Sequence, residues 1–249
     1  MKIGVCIPFY NEQKCIAATL EALLAQTDPE FTVFLCDNNS TDESVAIASS
    51  FIRDHKLDWQ IVHETQKGTG AAADTAMRAG ARAGCSILAR TDADSLPDPN
   101  WVCAIRAKFT RHPQLSMVSG LSIPIRSEVS FFEFWLLRFA TTVAMWFGLI
   151  RPSNYQRGMR GIYIMTSGNN LAIRAADYLA VGGFPRTRIE DVHEDRALVN
   201  AVRSHRLKVV VLRNMRVAVS ARRVKHWGLM ASIRWYRNHY RPSQNVDIR

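Results

Sequence analysis

The sequence predicts an α/β fold in which a mostly parallel central sheet is flanked by helices. Short apolar runs alternate with stretches of helical periodicity through the first half of the chain, as in repeated strand–helix units. Polar residues follow several of these runs, at the points where strands end. The chain has 249 residues, of which 47% are hydrophobic and 22% charged, so it suits one globular domain with one core.

Strands and helices alternate as far as residue 90. Apolar residues recur at helical spacing from Ile16 and again from Val45, and residues 68–84 form a glycine-bearing turn followed by an alanine-rich helix. The predicted strands, each short and apolar, are residues 2–9, 31–36, 60–63 and 85–89.

The second half is less regular. An aromatic and then basic insertion covers residues 121–160, and a polar tail that we expect to be loose covers 238–249, so the predicted domain is 1–237. The predicted helices are 101–109 and 194–205, and the predicted strands are 115–118, 166–173, 207–212 and 215–219.

Charge and cysteine content bear on partners and compartment. The formal net charge of +10 favours anionic partners such as nucleotides, nucleic acid or acidic lipid, although a solvated basic face explains it equally well. The five cysteines form no CxxC pair, which suggests a reducing compartment. The N-terminus lacks the layout of a signal peptide, since its apolar run ends at Pro8. We therefore expect a cytoplasmic protein, with a peripheral position at the inner face of the membrane left open.

One apolar segment, residues 131–150, is a candidate for membrane contact. It contains Glu133 and Arg138, and its uncharged part, 139–150, is too short to cross a bilayer of about 30 Å. Three alternatives remain: a core helix, a flap over an acceptor site, or a helix lying in the membrane interface.

Carboxylates fall at the ends of predicted strands. Glu12, Asp37 and the pair Asp92–Asp94 each follow a strand, and ligands of parallel sheets bind beyond that edge. Asp92 and Asp94, two residues apart, can face one hard cation such as Mn²⁺ or Mg²⁺, which prefers oxygen ligands. The alternative is a solvated acidic turn. Asp37 could bind a nucleotide base or ribose, or could form an Asx-turn before the next helix.

A doubled acidic pair, Glu190–Asp191 and Glu194–Asp195, precedes a predicted helix. One of these carboxylates could remove a proton from an attacking hydroxyl. Acidic residues are also common at helix N-termini, where they offset the dipole, and this alternative explains one pair better than both.

Taken in order, several short motifs resemble inverting glycosyltransferases of family 2, which have the GT-A (Rossmann-like) fold. Singly each motif is weak, but the ordered set spans residues 7 to about 203. The motifs are Ile7–Glu12, Asp37–Asp42, Asp92–Asp94, Gly168–Asn170, Gly182–Phe184 and Glu194–Asp195.

The resemblance implies a hexosyltransferase-type enzyme that uses a nucleotide diphosphate-sugar donor and a divalent cation. It implies no nucleic-acid partner. It implies a nucleotide-binding half at 1–120 and an acceptor-binding half at 121–237. The acceptor is not identified, but the aromatic insertion and the basic tail suggest one that is lipid-linked or held at a membrane surface, in cell-envelope or glycoconjugate biosynthesis. The implied roles are nucleotide-sugar binding by Pro8, Tyr10, Glu12, Asp37 and Asp92, metal binding by Asp94 with Asp92, general base catalysis by Asp195 supported by Glu194, and acceptor binding by Gly168 and Asn169.

The chain departs from the family pattern at two places. Ala73–Asp74 stand where many members have Arg-Asn, so one expected donor contact is missing. The processive members have Gln-x-x-Arg-Trp, whereas this chain has only Arg223 and then His226–Trp227. Arg223 is a candidate for diphosphate contact or part of a basic surface, and His226 a weaker candidate for a third metal ligand.

Three other functions fit part of the sequence. Residues 68–73 match the G-x-G-x-x-A pattern of dinucleotide-dependent oxidoreductases, but after the third strand rather than the first. A nucleotidyltransferase would also need metal-binding carboxylates. A non-catalytic lipid- or nucleic-acid-binding protein would use the basic charge, but clustered carboxylates would repel phosphates unless a metal intervened.

Overall fold

The predicted alternation of strands and helices gives one sheet with helices on both faces. The computed structural model describes residues 1–150, 154–155, 161–186, 194–222 and 225. The strands are β1 (Ile3–Phe9), β2 (Phe31–Asp37), β3 (Gln60–His63), β4 (Ile87–Arg90), β5 (Ser95–Pro97), β6 (Met117–Pro124), β7 (Leu171–Arg174) and β8 (Val209–Val219). The α-helices are α1 (Ile16–Leu24), α2 (Ser44–Asp54), α3 (Thr69–Arg82), α4 (Trp101–Arg111), α5 (Phe131–Ile150), α6 (Ala175–Ala180) and α7 (Glu194–Ser204).

The sheet is mixed, and its parallel part confirms the predicted fold class. The strand order is β3-β2-β1-β4-β7-β6-β8-β5. β1 pairs in parallel with β2 and β4, β2 with β3, and β6 with β8, whereas β7 and β5 run antiparallel to their neighbours. Because β2, β1 and β4 are adjacent and parallel, the residues that follow them meet at one edge of the sheet.

Alternate residues of the central strands supply two apolar layers. In β1, Ile3, Val5 and Ile7 pack on one face with α1 and α4, while Cys6 packs on the other with α3. This alternation is the period of two expected for strands covered on both faces. All five cysteines are free, and Cys6, Cys36 and Cys85 are buried as small apolar side chains.

The second half differs from the prediction in detail. β6 continues to Pro124, inside the predicted insertion, and the two strands predicted at 207–212 and 215–219 are one strand, β8. Arg213 and Asn214 interrupt the apolar pattern of β8, but both are exposed on a strand with a register shift against β6. β5 and α6 were not predicted, because three and six residues are too short to show a period. The polar tail at 238–249 lies outside the described residues.

The core-helix alternative for residues 131–150 is wrong. The segment is helix α5, and its large apolar side chains are exposed, with Phe132 at 75% and Trp146 at 67%. By length and composition the whole helix could span a membrane, although its uncharged part alone, residues 139–150, is too short to do so. The flap and interface alternatives both remain.

Asn170 joins three strands to α4. Its side chain is fully buried, accepts a hydrogen bond from Trp101 Nε1 at 2.9 Å, and donates to the carbonyls of Leu121 at 3.0 Å and Met215 at 3.2 Å. One amide therefore satisfies polar groups of α4, β6 and β8 that are shielded from water.

We expect Asn170→Ala to lower the free energy of unfolding by about 2 to 4 kcal/mol, because it leaves buried donors and acceptors without partners. Urea unfolding followed by circular dichroism measures this change. Asn169→Ala is the matched control, since Asn169 is half-buried and its side chain accepts only from the Ser122 and Ser167 hydroxyls among the described contacts. Equal stability of the two variants would contradict this role.

Candidate active site

The carboxyl ends of β1, β2 and β4 meet as the strand order requires. The Asn38 N–H donates to the Phe9 carbonyl at 2.9 Å, and the Thr91 N–H donates to the Cys6 carbonyl at 3.3 Å. The loops after the three strands are thus held side by side. Glu12, Asp37 and the pair Asp92–Asp94 all lie at this edge.

Arg90, the last residue of β4, connects two of the predicted acidic groups. Its guanidinium is buried and its Nη2 lies 3.2 Å from Asp92 Oδ1 and 3.3 Å from Glu194 Oε1. Burial by itself would lower the pKa of Arg90, but the charges of Asp92, Glu194 and Asp195 raise it above its usual value. Asp92 and Glu194, which are far apart in sequence, are therefore joined through the guanidinium of Arg90.

Two other motifs shape the space around Arg90. The Phe184 ring lies 5.0 Å from the guanidinium carbon, in a cation–π contact. At Gly168, an added Cβ would lie 3.1 Å from the guanidinium, so a larger residue would push Arg90 away from its partners. Among the described residues, Arg90 Nη1 has no hydrogen-bond partner, which leaves one donor beside Gly168.

Asp195 has the pKa of a competent base. It lies half-buried in the first turn of α7 and accepts a hydrogen bond from the Arg196 N–H at 2.6 Å. Burial and then the adjacent Glu194 charge raise its pKa from 3.8 to about 7, although the N–H groups of Arg196 and Gly168 and the charge of Arg90 oppose the shift. A carboxylate with this pKa accepts protons near neutral pH more effectively than an ordinary one.

A second guanidinium, that of Arg222, lies between Glu12 and Asp94. Its Nη2 is 2.5 Å from Glu12 Oε1 and 3.0 Å from Asp94 Oδ2, and its Nη1 is 2.8 Å from Glu12 Oε2. Burial opposes its charge, but the hydrogen bonds to Glu12 and the charge of Asp94 raise the pKa of Arg222 above its usual value. Despite this partner, burial raises the pKa of Glu12. Arg222, which follows β8, thereby joins the end of that strand to Glu12, which follows β1.

The predicted nucleotide-binding residues lie beside this cluster. Pro8 is buried within β1, and Tyr10, at its end, has the Lys67 ammonium 5.7 Å from its ring centroid. Asp37 is buried, accepts from the Ser40 N–H at 3.0 Å, and lies 3.3 Å from His63 Nδ1. Asp37 thus forms the local turn considered from the sequence, and its contact with a base stays a prediction.

Asp74 has a structural role at the place where the family pattern is broken. It is fully buried and accepts hydrogen bonds from Tyr178 at 2.9 Å, Arg78 at 2.8 Å and Arg186 at 3.2 Å. Its carboxylate therefore ties α3 to α6 and to the chain near residue 186.

The glycines of the dinucleotide-like motif are also explained by packing. At Gly70 an added Cβ would clash with the Pro185 carbonyl, and Gly68 has a φ of +147°, which favours glycine. These contacts account for both glycines without a dinucleotide.

Several predicted residues fall outside the described part of the chain. They are Glu190, Asp191, Arg223 and His226. Asn169 and Gly168 lie beside the Arg90 and Asp195 cluster, and their contact with an acceptor stays a prediction.

The donor set at Asp92 and Asp94 fits a small hard cation. Their side chains are 33% and 24% exposed and carry only oxygen donors. Among the described residues, no three His, Cys, Asp or Glu side chains form a preassembled metal site. Mg²⁺ is commonly held by one or two carboxylates together with substrate phosphates, and this pair can supply that share.

Arg90, Arg222 and Lys67 were missed in the sequence. Arg90 is the last residue of an apolar strand, where an arginine is not distinctive. Arg222 stands directly before Arg223, the residue that the comparison with the processive family pattern made a candidate for diphosphate contact. The signal that could have found Arg90 is its position two residues before Asp92, on the same strand exit.

A sheet with carboxylates gathered at the carboxyl ends of its parallel strands is typical of α/β enzymes, which bind their ligands at that edge. The family model described as glycosyl transferase family 2 matches residues 4–178. The chain belongs to this family of glycosyltransferases. This membership favours sugar transfer over the oxidoreductase, nucleotidyltransferase and non-catalytic alternatives.

Sequence relatives match part of the chain. Chondroitin synthase of Escherichia coli is 28% identical over 118 residues, which are 47% of this chain and 16% of that protein. The glycosyltransferase AglE of Haloferax volcanii is 32% identical over 102 residues, which are 40% of this chain and 33% of that protein. The matching part thus spans a third or less of either relative.

Solved structures share the fold. The mannosyltransferase PcManGT of Pyrobaculum calidifontis, in complex with GDP-Man and Mn²⁺, has a TM-score of 0.61 at 21% identity, covering 87% of this chain and 56% of that one. TarS of S. aureus, in complex with UDP-GlcNAc, has a TM-score of 0.65 at 18% identity, covering 89% and 59%. The predicted GT-A fold is confirmed.

If Asp195 is the base, activity should depend on pH in a defined direction. Its raised pKa means that the proton-accepting form is lost as pH falls through about 7, so kcat/KM should fall tenfold per pH unit below that value and level off above it. Initial rates measured from about pH 5 to about pH 9 give this profile. The control Asp54→Asn, an exposed carboxylate on α2, should leave it unchanged. A profile without a transition near neutrality would exclude Asp195 as the base.

Proposed function

We propose that this chain transfers a sugar from a nucleotide diphosphate donor to an acceptor hydroxyl, with inversion at the anomeric carbon and a bound Mn²⁺ or Mg²⁺. One observation carries the proposal. Arg90 joins Asp92, at the donor end of the sheet, to Glu194, beside the raised-pKa carboxyl of Asp195. Asp92, which is suited to binding the sugar donor, and Asp195, which is suited to accepting a proton, are therefore neighbours.

On the donor side, the chain binds and orients the nucleotide. Tyr10 and Asp37 would contact the base and ribose, with Pro8 and Glu12 lining the pocket. Asp94 and Asp92 would hold the cation, which when bound neutralises the diphosphate and stabilises the charge on the departing nucleotide.

On the acceptor side, Asp195 accepts the proton of the attacking hydroxyl. The hydroxyl oxygen forms a bond to the anomeric carbon, the bond from that carbon to the diphosphate oxygen breaks, and the nucleoside diphosphate leaves with the bonding electrons. Because attack and departure occur on opposite faces of the sugar, the configuration inverts without a covalent sugar–enzyme intermediate. Glu194 and Arg90 hold Asp195 and its surroundings in position, and Gly168 and Asn169 border the acceptor.

The related structures support the donor class and the cation. PcManGT is in complex with GDP-Man and Mn²⁺, TarS with UDP-GlcNAc, and a glucosyl-3-phosphoglycerate synthase of Mycobacterium tuberculosis with Mn²⁺ and UDP. The names of the relatives, chondroitin synthase and AglE among them, agree with a role in cell-envelope or glycoconjugate synthesis. We further propose that the transfer occurs in the cytoplasm, at the inner face of the membrane.

The first experiment identifies the donor and the stereochemistry. Thermal shifts measured with UDP- and GDP-sugars, with and without Mn²⁺, identify the donor through ligand-linked stabilisation. We expect turnover of that donor to release a nucleoside diphosphate and to give a product of opposite anomeric configuration by NMR. Release of pyrophosphate, or a product with retained configuration, would overturn the proposal.

Substitution of Asp195 and substitution of Asp94 should impair the enzyme in different ways. Asp195→Asn should lower kcat by about 100-fold or more while Mn²⁺ and nucleotide binding persist, because only proton acceptance is lost. Asp94→Asn should weaken Mn²⁺ binding measured by electron paramagnetic resonance with UDP or GDP present.

The control for both is Asp54→Asn, which should match the parent protein in turnover and in Mn²⁺ binding. Full Mn²⁺ binding by the Asp94 variant would contradict the metal assignment, and turnover that survives in the Asp195 variant would contradict the base assignment.

A further inference from the structure

The exposed face of α5 is apolar along the full length of the helix. With about 100° of rotation per residue, its exposed large apolar side chains fall within an arc of about 140°. They are Phe131, Phe132, Trp135, Leu136, Phe139, Val143, Trp146 and Ile150. A contiguous apolar face of this kind on a surface helix indicates a binding surface.

The last turn of α5 is attached to the protein. Gly148 is buried, and an added Cβ there would lie 3.3 Å from the Tyr163 ring. The Asn154 amide donates to the Gly148 carbonyl at 2.8 Å, and the Tyr155 hydroxyl donates to the Leu149 carbonyl at 2.6 Å. These contacts keep the last turn of α5 against its own domain, and the exposed Glu133 and Arg138 lie on either side of the apolar arc. An apolar face bordered by charged side chains favours a helix lying in a surface over one spanning a bilayer.

The charge around α5 suits an anionic surface. The sequence from Phe134 to Arg160, which covers most of α5 and the segment that follows it, has four arginines and no Asp or Glu. At the start of the helix, the Arg126 guanidinium lies 4.5 Å from the Phe134 ring centroid, and Arg138 lies 5.6 Å from the Trp135 ring. Arginine beside aromatic rings is the combination found where headgroups meet acyl chains. Basic residues near a helix add attraction to anionic lipid.

We propose that α5 docks this chain onto an anionic membrane, with the helix in the plane of the interface and its apolar face toward the acyl chains. The docking does not depend on the proposed sugar transfer. If that transfer is correct, the location is apt, because β6 leads to α5 and carries Ser122, whose hydroxyl bonds Asn169 at 2.9 Å on the acceptor side.

Vesicle flotation tests the docking. The full chain should float with vesicles of phosphatidylcholine and phosphatidylglycerol, bind vesicles of phosphatidylcholine alone at least about tenfold more weakly, and be released by alkaline carbonate. The triple variant Trp135→Ser, Phe139→Ser, Trp146→Ser should lose at least about tenfold in binding to the mixed vesicles. The control Leu24→Ser, Leu179→Ser removes exposed apolar residues on α1 and α6 and should bind like the parent chain.

Several results would overturn the docking. They are equal binding by the triple variant and the parent chain, no binding of the parent chain to the mixed vesicles, and resistance to carbonate, which indicates a spanning helix. A parent dimer in analytical ultracentrifugation that the triple variant loses, without vesicle binding, would assign the face to a second copy. Nucleotide-sugar binding by calorimetry should be the same in the triple variant and the parent chain, so failure of the docking is distinguishable from failure of the proposed transfer.

Discussion

The buried charge of Arg90 is the interaction on which the candidate site depends. A guanidinium removed from water is tolerated only when carboxylates and other polar groups surround it, and loss of one partner leaves an uncompensated charge that is expensive to bury. Arg90 therefore requires both Asp92 and Glu194 to stay in place. Asp92 follows β4 and Glu194 begins α7. The same requirement therefore fixes the distance between the proposed donor-binding side of the site and the proposed base beside Glu194.

The charge balance of the site has a further consequence. Among the residues that the structure describes, Glu12, Asp92, Asp94, Glu194 and Asp195 lie around the guanidinium groups of Arg90 and Arg222. Clustered carboxylates repel a diphosphate unless a cation is added, and they also favour protonation of one acid among them. The first effect agrees with the proposed divalent cation, and the second is visible in the raised pKa of Asp195. Repulsion among the carboxylates thus agrees with the proposed cation and adds to burial, which is the larger cause of the raised pKa of Asp195.

Sequence patterns predicted what depends on local periodicity and strand direction. The four strands of the first half, and the meeting of Glu12, Asp37 and Asp92 at one edge, follow from apolar runs and parallel order. Arg90 could not be predicted in this way, because its role arises from a contact between residues 104 positions apart. Periodicity also could not decide which side of α5 faces the protein, since an apolar helix has the same pattern in a core and on a surface.

The motifs themselves combine chemical and structural residues, and the structure separates them. In Gly168–Asn170, the glycine leaves room for Arg90 and Asn170 joins strands to α4, so only Asn169 has a side chain available for an acceptor. In Gly182–Phe184, the Phe184 ring supports Arg90, while at Gly183 an added Cβ would lie 2.5 Å from Asp74. A motif match therefore locates the site, but most of the motif residues act through the buried guanidinium of Arg90, which they surround. We therefore expect acceptor specificity to come from residues outside the motifs, and β6, which leads to α5, contacts Asn169 through Ser122.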